Sequence, residues 1–134
     1  MIDEFVASAA RRVPWLASDA VFCRRVCGFA SLAIAICVFQ IAVAFGFGRP
    51  VRALFFVAAL GASISVTLRR PGRRAIAWYL AFLGTCELVG AVYVYGWEGA
   101  PAAQSVAMIL ASAVFFLLAR RAVLSLDPST EQEQ

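Results

Sequence analysis

Four long apolar runs, separated by short polar or turn-forming segments, dominate the chain. The first covers residues 26–48 without a charge, and at about 1.5 Å per residue it is long enough for a hydrocarbon core of about 30 Å. The other predicted spans cover about 52–68, 75–97 and 101–119. The pattern predicts an all-α, polytopic membrane protein with four transmembrane helices.

The middle turn is the clearest boundary between spans. Residues 69–74 read Arg-Arg-Pro-Gly-Arg-Arg. Proline and glycine do not continue a helix well, and four guanidinium groups do not stay in lipid. We therefore expect this segment to leave the membrane.

The N-terminal segment has a different pattern. Its apolar residues recur at helical spacing until Pro14, opposite acidic, basic and hydroxyl side chains, which predicts an amphipathic helix on the membrane surface. A short cytoplasmic helix that contacts a partner protein is the alternative. The apolar positions are Ile2, Phe5, Val6, Ala9 and Val13. The predicted organisation is an amphipathic segment 1–23, a transmembrane domain 24–124 and a polar cytoplasmic tail 125–134.

The positions of arginine predict the orientation of the spans. The chain holds 12 basic residues, all of them arginine, and the turns after the first and third spans contain only Arg49 and Arg52. The others lie in the N-terminal segment, the middle turn and the C-terminal end. Positively charged flanks stay in the cytoplasm, so we expect both termini there.

The amino-acid composition excludes several classes of function. Apolar residues make up 63% of the chain, too many for a soluble globule, and the arginines flank apolar runs instead of forming a continuous basic surface for nucleic acid. There is no histidine, and the four cysteines form no CxxC pair. Histidine-dependent nucleophiles and most catalytic zinc sites are thereby excluded. We predict no enzyme activity, catalytic residue, metal or cofactor.

The arginine pairs suggest a duplicated hairpin. Arg24-Arg25 and Arg69-Arg70 bracket the first two spans, and Arg73-Arg74 and Arg120-Arg121 bracket the last two. Both hairpins begin on the same side, so they would be parallel repeats with a groove between them.

Two polar residues inside the spans are candidates for a site. Glu87 is the one ionisable residue deep in a span, where a charge is costly. Gln40 lies at similar depth in the first span and would hydrogen-bond Glu87 if the two helices met. A substrate or proton site and a neutral, structurally satisfied carboxyl group are both consistent with Glu87.

The arginine pairs are a second set of candidates, because guanidinium groups bind phosphate oxygens bidentately. Orientation and interfacial anchoring would explain them as well. The candidates for a lipid phosphate are Arg24, Arg25, Arg69, Arg70, Arg73, Arg74, Arg120 and Arg121.

The pattern resembles the GtrA-like family of small four-span membrane proteins. The resemblance covers about residues 24–124, and it depends on the arginine entry with small residues at 25–31 and on the hairpin ends at 63–70 and 115–124. It implies translocation or presentation of polyprenyl-phosphate-linked sugars for cell-surface glycan synthesis at the bacterial inner membrane. It also implies a membrane glycosyltransferase as a partner.

Two other functions remain open from the residues alone. A small proton-coupled exporter, similar to the small multidrug resistance transporters, would use Glu87. A structural or assembly subunit of a larger membrane complex would need only the apolar spans and the amphipathic arm. Homo-oligomers are compatible with each of these functions, and no nucleic acid is expected as a partner.

Overall fold

The computed structural model describes residues 2–69, 72–97, 99 and 101–124, and this part of the chain is built of helices without strands. The four longest helices are long and apolar enough to cross a membrane, as the sequence predicts, which indicates a multi-pass membrane protein. The predicted polar tail lies outside the described residues. The helices are α1 (Ile2–Arg12), α2 (Pro14–Ala17), α3 (Asp19–Gly46), α4 (Pro50–Arg69), α5 (Arg73–Gly96) and α6 (Ala102–Val123).

The helices extend beyond the predicted spans at the charged ends. α3 begins at Asp19, where the Ser18 hydroxyl oxygen accepts a hydrogen bond from the N–H of Val21 at 3.5 Å. α6 continues through the terminal arginine pair to Val123. An apolar run marks the part of a helix that fits in lipid, whereas the backbone hydrogen bonds continue into charged residues.

The turn between α3 and α4 is tight. Gly48 has a φ of +68°, a left-handed conformation that favours glycine. The N–H of Arg49 donates to the carbonyl of Ala44 at 2.8 Å. Pro50 is the first residue of α4, where its missing N–H costs no helical hydrogen bond. The turn reverses the chain, so α3 and α4 run antiparallel.

The long helices form two hairpins. α3 packs along α4, α5 packs along α6, and the strongest contact between the hairpins is that of α4 with α5. In α5, 44% of the most apolar window is buried, compared with 17–22% in the other three. α5 is therefore the central helix, and its inward side chains are the best placed to form a site.

Small residues allow α5 and α6 to approach closely. A Cβ atom on Gly84 would lie 3.2 Å from the Phe116 ring. The Ser112 hydroxyl donates to the carbonyl of Gly84 at 2.8 Å, and the Ser105 hydroxyl donates to that of Ala91 at 3.0 Å. Each hydroxyl is thus satisfied across the helix interface, where lipid offers no partner.

A buried hydrogen bond between α4 and α5 is one of the contacts that connect the two hairpins. The hydroxyl groups of Ser63 in α4 and Tyr79 in α5 lie 2.7 Å apart, and both side chains are buried. Breaking this bond would leave two polar groups without a partner in an apolar interior. The bond therefore fixes the position of α5 against α4.

Candidate functional site

A cavity of about 410 Å³ lies among the four long helices, and we call it the central cavity. Each helix contributes a polar side chain to its lining: Gln40 from α3, Arg52 from α4, Glu87 from α5 and Gln104 from α6. The volume falls within the range of small-molecule sites, which are mostly apolar with a few placed polar groups. The structure thus brings Gln40 and Glu87 to one cavity.

The polar residues of the central cavity lie toward one end of the bundle. Glu87 comes fourteen residues after Arg73, the start of α5, which is about 21 Å along the axis at 1.5 Å per residue. Gln40 lies near the end of α3, and Gln104 and Arg52 near the starts of their helices. Glu87, Gln40 and Arg52 are half-buried. The cavity is therefore polar away from the arginine pairs.

Two aromatic pairs line opposite ends of the central cavity. The rings of Phe55 and Tyr93 lie 6.0 Å apart with a tilt of 55°, near the polar residues. The rings of Phe29 and Phe115 lie 6.1 Å apart, also tilted by 55°, on the side nearer the arginine pairs. Such tilted pairs are favourable ring contacts. They add apolar ring surfaces to the lining of the cavity.

The arginines of the four pairs that the structure describes lie together at one end of the bundle, which we call the arginine end. Arg121 is buried there and makes several contacts. Its Nη2 donates to Asp19 Oδ1 at 2.8 Å, its Nε donates to the carbonyl of Leu16 at 2.6 Å, and its guanidinium carbon lies 5.0 Å from the centre of the Phe22 ring. Arg121 therefore holds α2 and the start of α3 against the end of α6.

Two further candidate arginines also make contacts within the chain. Arg73 is buried, and its Nη1 donates to the carbonyls of Ala122, at 3.1 Å, and Val123. Arg120 is exposed and forms a two-pronged ion pair with Asp3, with Nη2 and Oδ2 2.6 Å apart. This ion pair attaches α1 to α6 and lowers the pKa of Asp3.

The eight predicted phosphate-binding arginines therefore separate into groups. Arg24, Arg25, Arg69 and Arg74 are exposed at the arginine end. Arg73, Arg120 and Arg121 have the internal contacts described above. Arg70 lies outside the described residues. The first group is exposed, so its side chains are accessible at this end of the bundle.

Some residues of these sites were not predicted. Gln104 received no role because a polar residue at the start of a span is ordinary at an interface. Arg52 lies outside the arginine pairs, on the side where the charge rule expects few cations, and this exception is the signal that singles it out. Asp19 gave no signal, because nothing in its local pattern indicates a buried partner in α6.

No protein-family model, curated protein or solved structure matches this chain.

Proposed function

We propose that this chain is a membrane translocase, or the accessory protein of one, for polyprenyl-phosphate-linked sugars in cell-surface glycan synthesis. The observation that supports it best is the central cavity, in which polar side chains from all four long helices lie among aromatic rings. Amide and carboxyl groups hydrogen-bond sugar hydroxyls, and aromatic rings pack on the C–H faces of a sugar. The resemblance to the GtrA-like family points to the same substrate class.

A sugar needs such a cavity to cross a bilayer. Each hydroxyl that leaves water for hydrocarbon loses its hydrogen bonds unless the protein replaces them. Gln40 and Gln104 each supply donors and an acceptor, and Glu87 supplies acceptors in either state and a donor when it is neutral. The central cavity would thus shelter the sugar from the hydrocarbon of the bilayer.

The exposed arginines support the other half of the proposal. Arg24, Arg25, Arg69 and Arg74 lie at one end of the spans, where the phosphate of a polyprenyl lipid would rest at the interface. A guanidinium group binds such a phosphate through two parallel hydrogen bonds. Cations at the membrane edge and a polar cavity inside match a ligand with an anionic group, a sugar and a long apolar chain.

The proposal includes an arrangement in the bacterial inner membrane. The arginine end and both termini would face the cytoplasm, as the distribution of arginine favours, and the two hairpins would be parallel repeats. α1 would lie on the membrane surface: Val6 and Ala10 are buried against the protein, whereas Ile2 and Phe5 are each 65% exposed. An exposed apolar face beside basic residues suits the lipid interface.

In this proposal the chain performs no catalysis itself. A membrane glycosyltransferase would use or supply the lipid-linked sugar, and a homo-oligomer is compatible with the exposed apolar surfaces of the spans.

The first test is native mass spectrometry of the gently solubilised protein, with polyprenyl phosphate either copurified or added. We expect bound lipid in the wild type and loss of it when Arg24, Arg25, Arg69 and Arg74 are all changed to Gln. Arg11 and Arg12, exposed in α1, provide the control: their change to Gln should leave the bound lipid in place.

The cavity is tested separately with proteoliposomes that contain a polyprenyl-phosphate-linked hexose, followed by its accessibility to an impermeant oxidant. Gln40→Ala should slow the movement of the sugar. Thr85→Val is the matched control, because Thr85 lies at similar depth in α5 and is exposed. A wild-type protein that binds no polyprenyl phosphate and moves no lipid-linked sugar would overturn the proposal.

A proton-coupled exporter is the second candidate, and the position of Glu87 in the central cavity favours it. Proton coupling needs a group that titrates, whereas hydrogen bonding to a sugar needs only a donor and an acceptor. Glu87→Gln should therefore abolish an exporter but leave part of sugar translocation. Glu87→Asp should preserve proton coupling in the exporter.

A further inference from the structure

A second cavity, of about 400 Å³, lies closer to the arginine end. Its lining comes from α2, α3, α5 and α6, and one of its residues is charged. The lining residues are Trp15, Arg25, Val26, Phe29, Leu80, Phe115 and Leu118. We call it the arginine-end cavity.

The chemistry of the arginine-end cavity suits an anionic amphiphile. Six of its lining side chains are apolar or aromatic, so a hydrocarbon chain fills it without leaving polar groups unpaired. Arg25 is exposed and adds a cation to the same lining. Trp15 is 38% exposed, as expected of an indole at a membrane interface. A neutral hydrocarbon would make no use of Arg25, and a soluble anion none of the apolar lining.

The two cavities share part of their lining. Phe29 and Phe115 contribute to both, and their rings lie 6.1 Å apart. A hydrocarbon chain bound in the arginine-end cavity would therefore contact the same two rings that line the central cavity on the side nearer the arginine pairs. The two cavities are therefore neighbours that share one aromatic wall.

We propose that the arginine-end cavity binds the first part of the single hydrocarbon chain of a polyprenyl phosphate, with the phosphate on Arg25. This inference rests on the proposed function and locates the lipid half of the substrate. The cavity is one continuous space whose size suits part of one chain. The phosphate keeps at least one negative charge at neutral pH whether or not it carries the sugar, so Arg25 would pair with it through charge-assisted hydrogen bonds.

The test measures the binding of polyprenyl phosphate and of phosphatidylglycerol by native mass spectrometry in detergent. Arg25→Gln removes the cation, and Leu118→Trp fills the cavity. The controls are Arg12→Gln, an exposed arginine of α1, and Leu117→Trp, whose side chain is 42% exposed and does not line the cavity. A melting curve of each variant verifies the fold, and Arg25→Gln alone suffices if Leu118→Trp unfolds.

We expect Arg25→Gln to weaken the binding of polyprenyl phosphate about tenfold or more, because it removes a charge-assisted contact. We expect Leu118→Trp to weaken it to a similar extent, because the indole occupies the space of the hydrocarbon chain. The control variants should bind as the wild type does. Equal binding by all variants would overturn this inference and leave the proposed function standing, because the lipid would then bind elsewhere. Phosphatidylglycerol bound as tightly through the same residues would also overturn it. No binding of polyprenyl phosphate to the wild type would overturn both proposals.

Discussion

Asp19→Asn tests whether the ion pair at the arginine end stabilises the bundle. Asp19 and Arg121 are 5% and 1% exposed, so water screens their attraction little. Removing one partner of a buried pair costs about 3–5 kcal/mol. Arg121 still donates to the carbonyls of Leu16 and Leu124 in this variant. The amide oxygen of the introduced asparagine can also accept the hydrogen bond that the carboxylate of Asp19 accepts in the wild type. We therefore expect a loss of about 2–3 kcal/mol, or about 30- to 150-fold in the folding constant.

The assay is equilibrium unfolding in mixed micelles with increasing dodecyl sulfate, followed by circular dichroism and tryptophan fluorescence. Trp15 stacks on Phe22 with ring centres 6.3 Å apart, so its emission reports on the region around Arg121. Arg120→Gln is the matched control: Arg120 is the neighbouring arginine, and its ion pair with Asp3 is exposed. Exposed pairs contribute little, so we expect no measurable change in the unfolding midpoint.

Two results would refute this reasoning. If Asp19→Asn unfolds at the same midpoint as the wild type, the pair contributes no net stability, because the cost of desolvating both charges cancels their attraction. If Asp19→Asn and Arg120→Gln lower the midpoint equally, burial does not distinguish the two pairs. A third variant, Asp19→Leu with Arg121→Met, should recover part of the loss, since replacing both charges leaves no buried ion without a partner.

Three further predictions concern packing, hydrogen bonding and pH. Gly84→Ala should cost about 1–3 kcal/mol in the same unfolding assay because its Cβ is crowded, whereas Gly61→Ala, where a Cβ meets nothing within 4 Å, should not destabilise. Tyr79→Phe should cost about 1–3 kcal/mol by leaving a buried serine hydroxyl unpaired. The guanidinium of Arg120 lowers the pKa of Asp3 from its ordinary 3.8, so the contribution of the ion pair to the attachment of α1 is fully present above that pH and is lost as the pH falls through the lowered value. The protection of α1 from hydrogen exchange, relative to the intrinsic exchange rate at the same pH, should decrease at strongly acidic pH, and Asp3→Asn should show the lower protection already at neutral pH.

The spans were predictable because a long uncharged apolar segment in lipid must satisfy its backbone hydrogen bonds internally, and a helix does so. Glu87 and Gln40 were predictable as neighbours of one site, since polar groups at similar depth must avoid lipid. The Asp19–Arg121 pair was not, because its members are 102 residues apart along the chain and depend on how α2 and α3 fold back onto the end of α6. Arg73 was predicted to lie outside the membrane core, but its contact with the last carbonyls of α6 depends on the packing of α5 and α6.

The internal contacts of the arginines bear on the predicted orientation. Arg73, Arg120 and Arg121 have partners within the protein, so their positions would follow from folding alone, without any membrane potential or translocation machinery. When they are set aside, exposed arginines still remain at the arginine end, in α1, α3, α4 and α5, whereas the opposite end has the exposed Arg49 and the half-buried Arg52. The charge asymmetry behind the proposed orientation therefore does not depend on the arginines that stabilise the fold. The proposed orientation and the proposed head-group binding, in contrast, depend on the same exposed arginines. A variant that loses bound lipid must therefore be shown to keep its orientation in the membrane before the loss is assigned to binding.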